Sequence, residues 1–161
     1  GGARVGLMGA IATAVHEHNG EIIGVIPAAL VNKEVAYKDL IDLRIVETMH
    51  ERKNLMFELS DGFVALPGGL GTLDEFFEIL TWAQLGLHSK PCGLLNVDGY
   101  FDNLITFLHH AVNEQFIESE YLNMVMIDKN PNILLDKMMS YKPPQIDKAE
   151  RALKKSNHWN N

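Results

Sequence analysis

The chain has 161 residues, which fits one domain, and at this size roughly 70% of the surface of the unfolded chain can be buried. Apolar residues make up 47% and charged residues 22% of the sequence, which excludes a disordered or collagen-like chain. Lysine and arginine number 14 against 21 aspartate and glutamate residues, and the net charge of -7 argues against nucleic acid or an anionic membrane as a bulk partner.

The chain contains one cysteine, Cys92. A single cysteine excludes a disulfide framework and a cysteine-rich zinc site, and it indicates a reducing compartment. No stretch reaches the roughly 18 consecutive apolar residues of a membrane-spanning helix. We therefore expect a cytoplasmic protein.

The first residues predict a helix without the strand that normally comes before one. After Gly1-Gly2, the spacing i, i+3, i+4, i+7 of an amphipathic helix is kept by Met8, Ile11, Ala12 and Val15. This helix should end at Asn19-Gly20. Because a paired glycine before a helix normally follows a strand, we expect that an N-terminal strand-helix-strand portion is missing.

The rest of the chain alternates apolar strands with amphipathic helices. Strands are predicted over residues 21–26, 40–47, 63–66, 93–97 and 124–127, and helices over residues 48–60, 72–87, 100–115 and 131–140. This alternation predicts an α/β protein with a doubly wound parallel sheet. We expect one domain over residues 1–140, a loop or short irregular helix over 32–39, and a polar, lysine-rich tail over 141–161. Such sheets bind ligands at the carboxyl ends of their strands.

Residues 67–72 read Pro-Gly-Gly-Leu-Gly-Thr and lie between a predicted strand and a predicted helix. Glycines let backbone N–H groups approach a ligand closely, and the start of a helix favours an anion, so a phosphate is the expected ligand. The spacing fits neither the P-loop nor the usual dinucleotide fingerprint. The alternative is a tight turn that needs positive φ angles.

The helix that follows this loop begins with several acidic residues. Thr72-x-x-Glu75 has the spacing of a capping box, in which the Glu75 carboxylate accepts from a backbone N–H. Asp74 and Glu75 would also be stabilised by the positive end of the helix dipole. Alternatively, these carboxylates lie beside a bound phosphate and suit a positive charge that develops on a sugar carbon.

Arg52 is unusual because it continues the apolar face of the predicted helix 48–60. It precedes Leu55, Met56 and Leu59 by three, four and seven residues, which places it on the side that faces the sheet. A cation in the first turn also opposes the helix dipole. An inward arginine therefore needs a counter-charge, either a buried carboxylate or the phosphate of a substrate.

The neighbours of Arg52 have simpler interpretations. Thr48-x-x-Glu51 is a second possible capping box. Lys53 is explained equally well as a surface lysine or as a ligand contact. We interpret His50 as a partly buried structural histidine.

Taken together, these segments resemble the LOG (Lonely Guy) family of cytokinin riboside 5′-monophosphate phosphoribohydrolases, often labelled possible lysine decarboxylases. The two motifs that carry the resemblance are Met49-His50-x-Arg52-Lys53 and Pro67-Gly68-Gly69-x-Gly71-Thr72-x-x-Glu75. Further similar segments are Gly1-Gly2 with Val5-Gly6-Leu7-Met8-Gly9, Gly24-Val25-Ile26-Pro27, Thr81-Trp82-x-Gln84-Leu85-Gly86 and Gly93-Leu94-Leu95-Asn96-Val97. The resemblance covers about residues 1–140.

The resemblance implies a Rossmann-like fold and a dimer, and it implies that Arg52 and Glu75 are the catalytic residues. We expect Arg52 to clamp the nucleotide and hold charge as the bond breaks, and Glu75 to stabilise the sugar cation and orient or deprotonate the attacking water. We expect no cofactor and no metal, since no HExxH motif or carboxylate cluster suggests one. The nucleotide-contacting positions that it implies are Glu34, Lys53, Gly69, Leu70, Gly71, Thr72, Leu73, Asp74 and Thr81. The first strand of the family and its phosphate-side loop have no counterpart here, and the tail lies outside the resemblance.

We therefore expect an enzyme that cleaves the N-glycosidic bond of a nucleoside 5′-monophosphate, such as AMP or a cytokinin riboside 5′-monophosphate. A carrier that merely binds a nucleotide or a phosphorylated pterin is the first alternative. Lysine decarboxylation is a weaker alternative, because it needs a lysine that forms a Schiff base with pyridoxal phosphate. Neither Lys53 nor Lys90 has a persuasive setting for that role.

Two predicted helices carry more apolar residues than are needed to pack one face of the helix against the sheet. In helix 72–87 we expect Phe76, Leu80 and Leu87 to face the sheet, and Trp82 and Leu85 to face another flank. Helix 100–115 has apolar residues over more than half of its circumference. A monomer should not leave such an area exposed, so we expect at least a homodimer. The alternative is that the missing N-terminal segment covers these faces.

Overall fold

The computed structural model describes residues 1–31 and 42–144. The chain divides into two compact units, Gly1–Ile79 and Leu80–Asn161. Among the described residues, no helix combines the length and the apolar character that crossing a bilayer requires.

The first unit is built around a parallel pair of strands. Its elements are, in order, α1 (Gly6–Glu17), β1 (Ile23–Pro27), a short 3-10 helix (Ala28–Leu30), β2 (Asp42–Val46), α2 (Met49–Leu59), β3 (Phe63–Ala65) and the first part of α3 (Leu70–Gln84). In the β1–β2 pair, Ile23 lies opposite Asp42 and Pro27 opposite Val46. The side chains of Val25 and Ile26 are almost fully buried, so β1 forms the centre of this unit's core.

The second unit contains a second parallel pair of strands. After the end of α3 come β4 (Cys92–Leu95), a 3-10 helix (Val97–Gly99), α4 (Asp102–Asn113), α5 (Ser119–Leu122), β5 (Val125–Asp128) and α6 (Pro131–Met139). Cys92 lies opposite Val125 in the β4–β5 pair. Burial raises the pKa of the Cys92 thiol to about 12, so this cysteine is a protonated core residue and not a reactive one.

The predicted class, α/β with parallel strands and a Rossmann-like fold, is confirmed. Every helix and strand predicted within the described residues is present, with bounds that shift by up to three residues. Pro27 is the last residue of β1 instead of lying beyond it. The four-residue helix α5 was not predicted, because one turn is too short to show helical periodicity. The predicted loop 32–39 and tail residues 145–161 lie outside the described part of the chain.

Helix α3 begins and ends earlier than predicted. It covers Leu70–Gln84 instead of 72–87, because Gly86 adopts a φ of 73° and the Leu87 N–H turns back to donate to the Trp82 carbonyl at 2.9 Å. Leu87 therefore lies beyond the helix and is 67% exposed, so the prediction that it faces the sheet was wrong. Phe76 is buried as predicted.

Candidate active site

The start of α2 is held by a capping arrangement. The Thr48 hydroxyl accepts a hydrogen bond from the Glu51 N–H at 3.1 Å, and the Glu51 carboxylate accepts from the Glu47 N–H at 2.9 Å. The predicted capping box at Thr48 is thus confirmed, with the carboxylate reaching one residue further back than usual. This cap fixes the turn that carries Arg52 and Lys53.

Arg52 points inward from that turn and is only 8% exposed. Its Nε donates to the Val25 carbonyl in β1 at 3.2 Å, and its Nη1 donates to the carboxylate of Glu75. Nη1 also lies 3.6 Å from the sulfur of Met49. Of the two partners that the sequence left open, the structure therefore provides the carboxylate.

Glu75 does not cap α3. Because the helix begins at Leu70, Thr72 is already inside it and the capping box predicted for Thr72 and Glu75 was wrong. The Glu75 side chain instead forms an ion pair with Arg52. It stays 35% exposed, so one side of the carboxylate is accessible to a ligand or to water.

Lys53 is held by the same face of α3. Its Nζ lies 2.7 Å from a carboxylate oxygen of Asp74 and 3.3 Å from Oε2 of Glu78, and its side chain is 12% exposed. The surface-lysine interpretation was therefore wrong. The hydrogen bond with Asp74, helped by the negative charge of Glu78, raises the pKa of Lys53 against the opposing effect of burial. Lys53 is thus held as an ammonium ion.

The three glycines before and at the start of α3 differ in the space around them. A side chain at Gly68 would collide with Thr72, so this position needs glycine for packing. A Cβ at Gly69 or Gly71 would meet nothing within 4 Å, and neither residue has a positive φ. The alternative interpretation, a tight turn that needs positive φ angles, therefore does not explain why these two positions are glycine. Both positions leave open backbone at the start of a helix, as a bound anion requires.

The structure brings most of the predicted site residues together in the first unit. Arg52 and Lys53 contact Glu75 and Asp74, on the first turns of the helix that the glycine loop opens. Leu70 is 87% exposed there. Thr81 is exposed in the second unit and Glu34 lies outside the described residues, so their roles stay predictions.

The sequence analysis did not predict two features of the site. Glu78 follows Asp74 by four residues, so the helical period alone places both carboxylates on the face that meets Lys53. A cavity of about 260 Å³ beside Glu75 is the second feature. Its shape depends on packing and has no signal in the sequence. In the described part of the chain, no three or more histidine, cysteine or acidic side chains group together in a way that would hold a metal ion.

This fold and this helix start are typical of α/β proteins that bind a phosphorylated ligand. The model of the family described as "Possible lysine decarboxylase" matches residues 8–138. The chain therefore belongs to this family, which is the LOG family.

Relatives with curated names support the same family membership. The chain is 46% identical over 143 residues to cytokinin riboside 5′-monophosphate phosphoribohydrolase LOG5 of Arabidopsis thaliana, an alignment that covers 89% of this chain and 63% of the relative. It is 41% identical over all of its 161 residues to LOG2 of the same plant, named for the same activity, covering 73% of that protein. A probable enzyme of that name from rice (Oryza sativa subsp. japonica), LOGL2, is 45% identical over 154 residues, covering 96% of this chain and 63% of the relative. The chain thus spans less than two thirds of the length of LOG5 and LOGL2.

Because Arg52 pairs with Glu75, the stability losses caused by substituting these two residues should be coupled. Glu75→Ala leaves a buried guanidinium without its counter-charge, and we expect the free energy of unfolding to fall by about 2 kcal/mol, less than for a fully buried pair because Glu75 is partly exposed. Arg52→Met should cost a similar amount, and the double variant should cost clearly less than the sum. Urea denaturation of the four proteins measures this coupling. Additive losses would mean that the two side chains do not stabilise each other.

Proposed function

We propose that this protein hydrolyses the N-glycosidic bond of a nucleoside 5′-monophosphate, releasing the free base and ribose 5-phosphate. The observation that carries the proposal is the Arg52–Glu75 pair, in which a buried cation holds an accessible carboxylate on the first turns of a helix with open glycines. The names of the relatives, cytokinin riboside 5′-monophosphate phosphoribohydrolases, support the same reaction.

The 5′-phosphate would bind at the start of α3. There is open space beside the backbone at Gly69 and Gly71, and the helix dipole favours an anion there. We expect the N–H groups of Gly69, Gly71 and Thr72 to donate to the phosphate. Arg52 and Lys53 balance the charges of Glu75 and Asp74, which would otherwise repel the phosphate. Leu70, a further predicted contact in this turn, would act through its backbone. The Leu73 N–H already donates to the Gly69 carbonyl at 3.1 Å, so the contact predicted for Leu73 stays a prediction.

Glu75 would act at the sugar carbon. As the bond between C1′ and the base nitrogen breaks, its electron pair leaves with the base and the sugar becomes oxocarbenium-like. The Glu75 carboxylate would stabilise this positive charge and accept a proton from the water whose oxygen bonds to C1′. The base takes up a proton on release.

Arg52 would work through Glu75. Its guanidinium is committed to the Val25 carbonyl and the Glu75 carboxylate, so a positioning role suits it better than the nucleotide clamp expected from the sequence. Held in this way, the carboxylate keeps one orientation.

The experiment is to incubate the full-length protein with AMP and with isopentenyl-AMP and to separate free base from nucleotide by chromatography. We expect release of base by the wild type and a loss of at least about a hundredfold in kcat for Glu75→Gln, with KM little changed, since the amide keeps the shape and loses the charge. If no base is released while an active family member works in the same buffer, the proposal is wrong. Nucleotide binding without turnover would support the carrier alternative.

Lysine decarboxylation is not supported by the site. A lysine that forms a Schiff base must react as the neutral amine, whereas Asp74 and Glu78 hold Lys53 as an ammonium ion. The family's description as a possible lysine decarboxylase therefore finds no support in the surroundings of Lys53.

Gly71→Ala separates ligand binding from folding. Gly71 lies in the first turn of α3 with open space around it, so alanine should leave stability unchanged or raise it by up to about 1 kcal/mol. If a phosphate approaches this backbone closely, the added methyl group should raise KM at least about tenfold. Thermal unfolding and steady-state kinetics measure the two effects. Ser119→Ala, in a short helix of the second unit, is the control, and an unchanged KM in Gly71→Ala would argue against the phosphate position.

A homodimer is proposed from the second unit. Leu85, Leu87, Phe107 and Phe116 are 51%, 67%, 61% and 85% exposed there, and an interface between two copies would remove such side chains from water. We expect the full-length protein to sediment as a dimer at micromolar concentration and Phe107→Glu to weaken the association. A wild-type monomer at that concentration would contradict the proposal.

We propose that this protein is cytoplasmic, because its one cysteine is a buried free thiol, which suits a reducing compartment.

A further inference from the structure

We infer that Met49 is an oxidative modification site, and that its sulfoxide form disrupts the ion pair of Arg52 with Glu75 and so lowers turnover. The effect on turnover rests on the proposed function, to which the inference adds regulation by hydroperoxides. The observation behind it is a contact within the site. The Met49 sulfur lies 3.6 Å from Nη1 of Arg52, and this nitrogen is the one that donates to the Glu75 carboxylate.

Met49 combines this contact with access to solvent. The chain has seven methionines, all of which lie in the described residues. Two of them are exposed, Met49 at 42% and Met139 at 87%, and the other five are partly or fully buried. A hydroperoxide in solution can therefore reach these two thioethers most easily. Met139 is the last residue of α6, in the second unit.

In its reduced form, Met49 is a weak partner of Arg52. A thioether sulfur is a poor hydrogen-bond acceptor, so Nη1 is held mainly by the charge-assisted bond to Glu75. Met49 is the first residue of α2, and Arg52 follows it by three residues, which places both side chains on the same face of the helix. Leucine has a similar size and forms helices equally well, so neither the helix nor its apolar contacts require sulfur at this position.

The oxidation is a two-electron step that needs no reactant besides the hydroperoxide. With hydrogen peroxide, a lone pair of the Met49 sulfur attacks one oxygen, an S–O bond forms and the O–O bond breaks. The attacked oxygen loses its proton, and the hydroxide that departs takes one up and becomes water. The sulfur is oxidised to a sulfoxide and the peroxide is reduced. Specific reductases convert methionine sulfoxide back to the thioether, so the modification is reversible.

The sulfoxide oxygen would compete with Glu75 for Nη1. Oxidation makes the side chain polar and gives it an oxygen acceptor in place of sulfur. The 3.6 Å between sulfur and Nη1 is shorter than an S–O bond followed by an N–H···O contact of about 2.9 Å, so a bond to this oxygen shifts the sulfur, the guanidinium or both. Because Nε is anchored to the Val25 carbonyl, a shift of the guanidinium swings Nη1 relative to Glu75. The carboxylate then loses the partner that orients it.

The experiment treats the full-length protein with hydrogen peroxide and measures base release from AMP and isopentenyl-AMP, while mass spectrometry of peptides gives the sulfoxide fraction at each methionine. As Met49 is oxidised, we expect kcat to fall at least about tenfold relative to the same protein before treatment, and to recover with methionine sulfoxide reductases. Met49→Leu should keep the activity that it had before treatment. Met139→Leu is the matched control and should lose activity as the wild type does. An equal loss in Met49→Leu and the wild type would overturn the inference.

A second variant imitates the oxidised side chain without an oxidant. Met49→Gln replaces the thioether by an amide whose oxygen is a good acceptor at a similar distance from the backbone. We expect its kcat to be at least about tenfold below that of the wild type, whereas Met139→Gln should leave kcat unchanged. Wild-type turnover in Met49→Gln would contradict the inference.

A stability measurement separates failure of this inference from failure of the proposed function. The coupling between Arg52→Met and Glu75→Ala, measured by urea denaturation, needs no catalysis. In the Met49→Gln background we expect this coupling to fall to less than about half of its wild-type value, and in Met139→Gln to stay unchanged. If nucleotide is hydrolysed but Met49→Gln leaves the coupling intact, the inference is overturned and the proposed function stands. If neither nucleotide is hydrolysed, the proposed function fails, and the coupling alone supports or overturns the effect of Met49 on the ion pair.

Discussion

The first unit depends on one constraint, the burial of the Arg52 guanidinium. A cation taken out of water costs several kcal/mol unless it is paired and hydrogen-bonded. Here the compensation comes from the Val25 carbonyl of β1 and the Glu75 carboxylate of α3, so three elements must meet at one side chain. The cap at Thr48 fixes the turn of α2 from which Arg52 starts. The interaction that makes the burial tolerable is therefore also the one that orients the carboxylate.

Charge varies along the site in an order that suits the proposed cleavage of a nucleotide. The start of α3, with its open backbone at Gly69 and Gly71, is the electropositive end. The balanced pairs of Arg52 and Lys53 with α3 come next, and the mainly apolar cavity follows. A phosphate and a developing sugar cation differ in charge in the same order.

Local patterns in the sequence predicted much of this arrangement. Periodicity located the helices and strands, and the position of Arg52 on an apolar face revealed an inward cation. Its partner could not be predicted, because Glu75 is 23 residues away and only the packed chain brings the two together. Of the two interpretations that the sequence left open for Glu75, the cap was the wrong one, because the helix begins at Leu70, two residues before Thr72. The cavity depends on how α2 and α3 pack against β3, which no local pattern encodes.

The hydrogen bond between Arg52 and Val25 has a consequence for how the site assembles during folding. It joins a side chain of α2 to a strand 27 residues earlier, and that strand is itself placed by its parallel register with β2. A slip of one residue in that register would turn the core side chains of β1 outward and move the carbonyl that anchors the guanidinium. Parallel pairing is slow to form because a long loop must close first. During refolding, the paired arrangement of Arg52 and Glu75 would therefore appear only with the native strand alignment, after most helical structure has formed.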